Sequence, residues 1–284
     1  MKLGNFEINV IDTGIFRLDG GAMFGVVPKP LWSKKYDGGD ELNRIPLSAR
    51  PLLIEYDNKK ILVDSGNGNK RDSKFNNIYG INPEKNSLTS GLNKLGVTPE
   101  QITDVILTHL HFDHVGGCTF FENDKHVPLF QNAAHYVQKK HLEWALNPSD
   151  KDKASFIRND FDVLLSEGLL KFTYGEQEIF DNITVIPVSG HTESLQMVYV
   201  NGGDENLLYI SDLSPTAAHL SYTFGLAYDN FPLLTVEEKK KILPKYYDMN
   251  TIICFEHDAF VQSGKLQATE KGFLLGEKIT ITEW

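Results

Sequence analysis

The 284-residue sequence has 28 basic and 38 acidic residues, and its formal net charge of -10 disfavours nucleic acid or an anionic membrane as the main partner. Its 41% hydrophobic and 23% charged residues are typical of a globular protein that buries a sizeable core. Because no repeat, low-complexity tract or linker divides the chain, we predict one domain over residues 1–284.

The cysteine content and the amino-terminal sequence bear on the compartment. Cys118 and Cys254 are the only cysteines, which is no disulfide framework and favours a reducing compartment. The first residues contain no apolar signal core, and the sequence has no run of 18 apolar residues. We therefore expect a cytoplasmic protein with no membrane association.

In chain order, apolar and polar residues first alternate over residues 5–18, which predicts an opening strand followed by a turn. Residues 19–32 combine three glycines and two prolines with four large apolar side chains, so we predict a loop. This loop either packs over its own core or forms an apolar wall for a pocket or a partner subunit. Residues 50–56 and 60–64 are predicted to form a β-hairpin, and residues 67–85 a polar loop.

The second half of the chain alternates between strand and helix patterns. A helix at 88–95, ended by Gly96, precedes a short buried strand at 104–107. A later helix at 236–247 is predicted to begin after Thr235, with Glu238 completing a capping box. The remaining predictions are strands at 134–138, 168–174, 183–188, 196–200, 206–210 and 251–255, and helices at 139–146 and 148–165.

The most informative segment, residues 108–117, reads Thr-His-Leu-His-Phe-Asp-His-Val-Gly-Gly. His109, His111, Asp113 and His114 place four potential metal ligands within six residues. Side chains on a strand alternate between its two faces, so a strand cannot direct all four to one point. We therefore expect them on the loop that leaves strand 104–107, where the glycines at 116 and 117 permit unusual backbone angles. In layered α/β proteins, ligands bind at this carboxyl end of a strand.

Three later strands also end in potential metal ligands. Their apolar runs lead to His191, Asp212 and His257, whereas the other four histidines (His126, His135, His141 and His219) have no such setting. One histidine after a strand is more often structural, but the joint pattern of five histidines and two aspartates points to metal binding. Imidazole and carboxylate donors without thiolate suit zinc, iron or manganese. Seven ligands exceed one tetrahedral zinc site and suggest a pair of ions.

The segment His109-Leu110-His111-Phe112-Asp113-His114, followed by His191, Asp212 and His257, resembles the metallo-β-lactamase superfamily of metallohydrolases. The resemblance implies an α/β (α+β) fold, an αββα sandwich with the site along one edge of its two sheets. It also implies the ligand sets. His109, His111 and His191 would hold the first metal, Asp113, His114 and His257 the second, and Asp212 would bridge the two.

The same resemblance extends to one residue behind the ligands. Asp64 matches the superfamily's aspartate at the end of an early strand. We expect it to orient a metal ligand or loop, and the alternative is that it caps a turn.

Two further stretches, residues 19–32 and 211–219, look like the YtnP-type quorum-quenching lactonases and the methyl parathion hydrolase group, which cleave N-acyl homoserine lactones or organophosphate esters. The chain departs from these relatives in two places. Glu193-Ser194 follows Thr192 where many have Pro-Gly, and Pro215 stands where better-studied lactonases have a tyrosine. His219 and Tyr222 are candidates to replace that tyrosine.

The expected activity is hydrolysis of lactones or related esters by a hydroxide that bridges two divalent ions, zinc first and iron or manganese as alternatives. Asp212 would hold the bridge, and Asp113 could accept a proton. A small apolar substrate would enter along hydrophobic side chains, although core packing or a homodimer interface competes for them. These side chains are Met23, Phe24, Leu31, Trp32, Phe224, Leu226, Tyr228 and Phe231.

Three alternative functions remain open at the level of sequence. An organophosphate triesterase would use the same ligands. A phosphodiesterase or nuclease of this fold is disfavoured because no basic stretch accompanies the motif. A non-hydrolytic iron redox protein or an inactive metal-binding module is disfavoured by the complete ligand set and by the absence of a flavin-type partner domain.

Overall fold

The computed structural model describes residues 1–85, 87–270 and 272–283. The strands are β1 Lys2–Leu3, β2 Phe6–Val10, β3 Ile15–Asp19, β4 Arg44–Ser48, β5 Leu52–Tyr56, β6 Lys59–Val63, β7 Asp104–Ile106, β8 Thr119–Glu122, β9 Lys125–Pro128, β10 Ala134–Gln138, β11 Leu170–Thr173, β12 Gln177–Phe180, β13 Ile183–Val188, β14 Leu195–Asn201, β15 Asn206–Tyr209, β16 Ile252–Cys254, β17 Ser263–Thr269 and β18 Gly272–Ile279.

The α-helices are α1 Gly20–Phe24, α2 Lys29–Trp32, α3 Ser73–Tyr79, α4 Leu88–Lys94, α5 Phe112–Val115, α6 Lys139–Leu146, α7 Asp162–Ser166 and α8 Pro232–Asp248. Short 3₁₀ turns occur at Pro99–Gln101, Gly116–Cys118, Arg158–Asp160, Ser211–Leu213 and Ala217–Leu220. The longest helix of the described ranges, α8, has 17 residues, and none of the helices in those ranges has the length and apolarity to cross a bilayer.

Two seven-stranded sheets dominate the structure. The first has the order β1-β2-β5-β6-β7-β10-β11, and the second runs from β12 to β18 in sequence order. Successive side chains of a strand point to opposite faces of the sheet, so the side chains of each strand enter two apolar environments in turn. In β5, Leu52 and Ile54 join the cluster between the sheets, while Leu53 packs on the helical side with residues of α4 and α6.

The second sheet repeats this arrangement. In β14, Val198 and Val200 face the first sheet, while Met197 faces α8 together with Ile253 of β16. Burial on both faces explains why several strands read as continuous apolar runs. The layers are therefore helix, sheet, sheet, helix, which confirms the predicted αββα sandwich. The first residue of the chain lies close to residue 281, since the Met1 amino group donates to the Ile281 carbonyl at 3.2 Å. The predicted single domain over 1–284 stays a prediction.

The predicted loop at 19–32 is wrong, since this segment forms α1 and α2. Asp19 caps α1 by accepting a hydrogen bond from the Ala22 N–H at 2.8 Å. Glycine and proline lower helix propensity, but each helix is a single turn anchored by buried Phe24 and Trp32. Residues 67–85 likewise contain α3, capped by Asp72, which accepts from the Phe75 N–H at 2.7 Å.

The predicted helix at 148–165 is also wrong, because this segment forms turns and only α7 is α-helical. A helix with one charged face would have exposed Asp152 and Asp160, but both are buried and bind distant side chains. The predicted start of α8 is shifted: the helix begins at Pro232, a favoured first position. Glu238 does not cap it, and instead accepts hydrogen bonds from the Ser189 and Gly190 N–H groups at 2.7 and 2.9 Å.

Strand direction places the ends of five strands together. β6 and β7 are parallel, and β15 and β16 are parallel. β13 runs in the direction of β15, because each is antiparallel to β14. The two sheets meet at this edge, where the Gln196 N–H donates to the Thr108 carbonyl at 2.9 Å. Polar residues that follow these strands therefore share one edge of the sandwich.

A buried ion cluster secures the loop after β6. The Asp160 carboxylate is fully buried and binds Lys70 Nζ at 2.8 Å and the Arg71 guanidinium. The Lys70 amine also donates to the Gly116 carbonyl, two residues beyond His114. Burial lowers the pKa of Lys70, so this ammonium depends on Asp160 to remain charged.

We predict that Asp160→Asn lowers the free energy of unfolding by about 3–5 kcal/mol, because two buried cations lose their counter-ion. Urea denaturation measures this loss. The matched control is Asp162→Asn, which breaks an exposed pair with Arg158 and should cost less than about 1 kcal/mol. Equal effects of the two substitutions would contradict the role given to the cluster.

Candidate metal centre

The ligand motif begins where β7 ends and continues into α5. Thr108, His109 and His111 lie on the connecting loop, whereas Asp113 and His114 lie within α5. The prediction that all four candidate ligands lie on a loop is therefore correct for His109 and His111 and wrong for Asp113 and His114. His111 starts the single helical turn, since its carbonyl accepts the His114 N–H at 3.0 Å.

Two glycines let this turn approach the loop after β6, but not through unusual backbone angles. Gly116 has φ -58°, and Gly117 is not among the residues with positive φ. A Cβ on Gly116 would lie 2.3 Å from the Asn67 carbonyl oxygen, and one on Gly117 would lie 2.2 Å from the Ser65 carbonyl oxygen. Close backbone packing is therefore the reason for glycine at both positions.

The first group of ligands consists of His109, His111 and His191, all buried. His111 Nδ1 lies 3.0 Å from His109 Nε2 and 3.3 Å from His191 Nε2. Nitrogens bound to one tetrahedral zinc at about 2.0–2.1 Å would be separated by about 3.3 Å. The spacing of these three nitrogens therefore fits a single cation.

The second group consists of Asp113, His114 and His257. His257 Nε2 lies 3.1 Å from His114 Nε2 and 3.7 Å from Asp113 Oδ2. All three side chains are buried, with the carboxylate of Asp113 at the cavity surface. Two imidazoles and one carboxylate are donors that zinc, iron and manganese all accept.

Asp212 lies between the two groups. Its Oδ2 is 3.3 Å from His191 Nε2 and 3.4 Å from His114 Nε2, and its Oδ1 is 3.3 Å from His257 Nε2. Among the described residues, the buried Oδ1 accepts no hydrogen bond. A buried carboxylate oxygen without a donor is costly, and a bound cation would remove that cost. The residues present therefore fit divalent metal at this site.

The imidazoles of His257 and His191 are each oriented through the nitrogen that faces away from the site. His257 Nδ1–H donates to the Ser48 carbonyl at 2.8 Å, and His191 Nδ1–H donates to Asp229 Oδ1 at 3.0 Å. Such bonds select the tautomer whose free nitrogen faces the site. His141, which sequence reasoning set aside, accepts the Leu110 N–H at 2.8 Å through Nε2 and so supports the motif loop.

Asp64 lies directly behind His114. Its Oδ1 accepts the Thr108 N–H at 2.7 Å, and its Oδ2 accepts the Thr108 hydroxyl at 2.6 Å and lies 3.1 Å from His114 Nδ1. Asp64 has φ +57°, a conformation that aspartate and asparagine tolerate better than most residues. Glu256 approaches the same nitrogen at 2.9 Å, and burial raises the pKa of this carboxyl to about 8.

The pKa values of the ligands follow from burial and mutual charge. Burial lowers the pKa of His109 and His111 well below the ordinary value, so both are neutral and keep a lone pair. Burial also acts to lower the pKa of His114, but the Glu256 and Asp212 carboxylates raise it well above its ordinary range.

Five of the candidate ligands, His111, Asp113, His191, Asp212 and His257, line a cavity of about 130 Å³ that opens to solvent. Its lining combines metal-ligand candidates with apolar side chains and one lysine. The lining residues are Leu18, Met23, Tyr79, His111, Phe112, Asp113, Lys151, Asp152, Ser155, His191, Asp212, Leu226, Ala227, Tyr228 and His257. Of the apolar residues predicted at the entrance, Met23, Leu226 and Tyr228 line this cavity.

The structure places the other predicted pocket residues elsewhere. Phe24 is fully buried between Trp32 and His219, with ring centroids 5.0 and 4.6 Å away. His219 Nε2–H donates to the Met23 carbonyl at 2.7 Å, so it supports the cavity wall from behind. Tyr222 packs on Phe273, 6.3 Å between centroids. None of these four residues, His219, Tyr222, Phe24 and Trp32, is among the described residues that line the cavity.

The remaining predicted entrance residues also lie off the cavity lining: Leu31 and Phe231 are exposed, and Phe224 packs against the core that contains Phe24. Sequence reasoning missed several residues at the site. Glu256 had a usable signal, because it precedes His257 at the end of a strand. Tyr79, Lys151 and Asp229 had none, since each lies in a segment without a ligand motif. Only the tertiary structure brings them to the site.

Comparison with known proteins identifies the class. Residues 46–246 match the Metallo-beta-lactamase superfamily. The chain belongs to this superfamily and is one of its metal-dependent hydrolases, which confirms the resemblance seen in the motif.

Among individual proteins, the chain is 24% identical over 234 residues to an N-acyl homoserine lactonase of Bacillus cereus, covering 78% of this chain and 86% of that protein. A probable metal-dependent hydrolase from Staphylococcus aureus has a similar structure, with a TM-score of 0.87 and 28% identity over 99% of this chain and 100% of that one. AidC, a dizinc quorum-quenching lactonase solved with a product, shares the fold with a TM-score of 0.82 and 21% identity over 99% and 97% of the two chains.

We predict that Asp64→Asn weakens divalent metal binding by about 10- to 100-fold, because a neutral amide holds His114 and Thr108 less firmly. Competition with a chromogenic zinc chelator measures the change. Asp57→Asn is the matched control, since Asp57 also has a positive φ, +49°, but lies exposed in the β5–β6 turn. If both variants retained zinc like the wild type, Asp64 would be only a turn residue.

Proposed function

We propose that this protein is a dinuclear metal-dependent hydrolase that opens lactones of the N-acyl homoserine lactone type or cleaves related carboxylic esters. The observation that carries the proposal is the convergence of six ligand-type side chains around Asp212, beside a cavity with apolar walls. The similarity to an N-acyl homoserine lactonase supports the substrate class.

In this proposal His109, His111 and His191 hold one ion, and Asp113, His114 and His257 hold the other. Asp212 belongs to both sets. Zinc is the first choice, and iron and manganese accept the same donors. Two such ions supply a water of lowered pKa near neutral pH and polarise the carbonyl group of the substrate.

The protein's own side chains then position the substrate and handle protons. The Asp212 carboxylate fixes the position of the two ligand groups relative to each other, because it contacts an imidazole of each group. Asp113 lines the cavity and can accept the proton of the attacking water. When the ring C–O bond breaks, the same carboxyl can return that proton to the alkoxide, so the products are an alcohol and a carboxylic acid, which then loses its proton to solvent at neutral pH.

The cavity walls favour a small apolar substrate over a phosphodiester polyanion. Leu18, Met23 and Leu226 offer apolar surface to an acyl chain. Among the described lining residues, Lys151 is the sole lysine or arginine, and the chain has a net charge of -10. Nucleic acid binding needs a positive surface, so a nuclease is disfavoured. The predicted homodimer stays a prediction.

A cytoplasmic location is part of the same proposal. Cys118 and Cys254 are both free and buried, and burial raises the pKa of each thiol to about 12. Free thiols are the expected state in a reducing compartment.

The test is metal analysis with a substrate panel of N-acyl homoserine lactones of different chain length, aryl esters, phosphotriesters and a phosphodiester. We expect two metal equivalents per chain and the highest kcat/KM on lactones, lost on chelation and restored by zinc. Preference for phosphotriesters would move the assignment to the organophosphate alternative. Two bound metals with no hydrolysis of any panel member would refute the proposal.

We predict that Asp212→Asn lowers kcat/KM by more than about 100-fold, because it removes the carboxylate common to both ligand groups. The measurement pairs steady-state kinetics with metal content. Asp204→Asn, at an exposed position, is the control and should match the wild type. Full turnover with both metals retained in Asp212→Asn would rule out this mechanism.

A further inference from the structure

One carboxylate connects a metal-ligand candidate to the wall of the cavity. Asp229 Oδ1 accepts the His191 Nδ1–H at 3.0 Å, and its Oδ2 accepts the Leu226 N–H at 3.2 Å. Asp229 is buried, and Leu226 lines the cavity. The orientation of the His191 imidazole and the position of residues 226–230, the wall segment, therefore depend on the same side chain.

One ammonium ties the wall segment to the opposite side of the cavity. Lys151 lies in the turn between α6 and α7, and its Nζ donates to the Ala227 carbonyl at 2.8 Å and the Asp229 carbonyl at 2.7 Å. Lys151 and Ala227 both line the cavity. A lysine ammonium has three N–H donors, so two of the three bind the backbone of the wall segment.

A second contact joins the same two regions. Asn230 Nδ2 donates to Asp152 Oδ2 at 2.6 Å, and the Asn230 N–H donates to the His191 carbonyl at 2.9 Å. Asp152 is anchored to α6 by the Trp144 Nε1–H at 2.8 Å. Hydrogen bonds thus connect the wall segment to His191 on one side and to the turn at 149–155 on the other.

We propose that Lys151 and Asp229 form a positioning pair that couples the wall segment to His191. The pair sets two properties together: how firmly the His109, His111 and His191 group holds its ion, and which substrates fit against Leu226 and Ala227. Neither residue touches the reacting atoms in this role. The inference rests on the two-metal site of the proposed function for its metal-retention readout and on the proposed substrate class for its activity readout, whereas its hydrogen-exchange readout needs neither.

Metal retention tests the Asp229 half of the pair. In Asp229→Asn, the neutral amide no longer holds the Nδ1–H of His191 as firmly as a carboxylate does, so one of the two zinc ions should be lost at about 10- to 100-fold lower chelator concentration. The control is Asp150→Asn, whose exposed carboxylate pairs with Lys153 on the same turn. A purely structural role would lower the melting temperature without changing the retention of one ion selectively. Unchanged retention would overturn this half.

Hydrogen exchange tests the Lys151 half. Lys151→Met keeps the aliphatic stem but loses both bonds to the wall segment, so the Leu226 and Asn230 amides should exchange about tenfold faster or more. Lys153→Met is the matched control, because Lys153 is exposed and binds Asp150 rather than the wall segment. Equal exchange in the two variants would overturn the role of Lys151.

The double variant, Asp229→Asn with Lys151→Met, tests whether the two act as one unit. Coupled residues give a combined change in wall-segment exchange smaller than the product of the separate changes, whereas independent residues multiply. Multiplicative effects would overturn the coupling.

The activity arm is the chain-length profile on acyl homoserine lactones. Lys151→Met should raise KM and flatten the chain-length preference with kcat little changed, while Lys153→Met should not. If the wild type cleaved no lactone, the proposed function would fail, but metal retention and exchange would still decide the positioning pair.

Discussion

The structure depends on one electrostatic arrangement: the Asp212 carboxylate lies within 3.7 Å of nitrogens from His109, His114, His191 and His257. Their imidazoles pull its pKa well below the ordinary value against the effect of burial. Burying this many polar groups is expensive unless each is paired. The surrounding fold meets that requirement by giving every imidazole a partner on its far side, either a carboxylate, a hydroxyl or a backbone carbonyl.

The αββα sandwich makes this arrangement possible because five strands end at one edge. Each strand contributes one rigid attachment point, and the ligands follow within a few residues. The loop after β6 then packs against the motif so closely that Gly116 and Gly117 admit no Cβ. Rigid strand ends and a glycine contact together hold the donors at spacings that suit a cation, which flexible loops alone would not maintain.

Chemistry and selectivity belong to different parts of the chain. The donors come from strand ends and α5, whereas the cavity walls come from α1, α3 and the irregular segments around Lys151 and Leu226. Irregular segments tolerate substitution better than a packed sheet edge. Asp229 is the point where the two parts meet, because its carboxylate binds both His191 and the backbone of the wall. A change in the wall can therefore reach the metal-ligand candidates through one residue.

The sequence by itself determined the sandwich and the set of candidate ligands. Apolar periodicity predicted strands such as 183–188, and the resemblance of the His109–His114 motif to the metallo-β-lactamase superfamily implied the layers; both agree with the structure. Only the tertiary structure decided which side chains support them. The segment 148–165 has the pattern of an amphipathic helix, but Asp160 turns inward to Lys70 and Arg71, about 90 positions earlier in the chain. Asp229, Lys151 and Tyr79 reach the site in the same way, because burial of a polar group depends on partners that sequence periodicity does not encode.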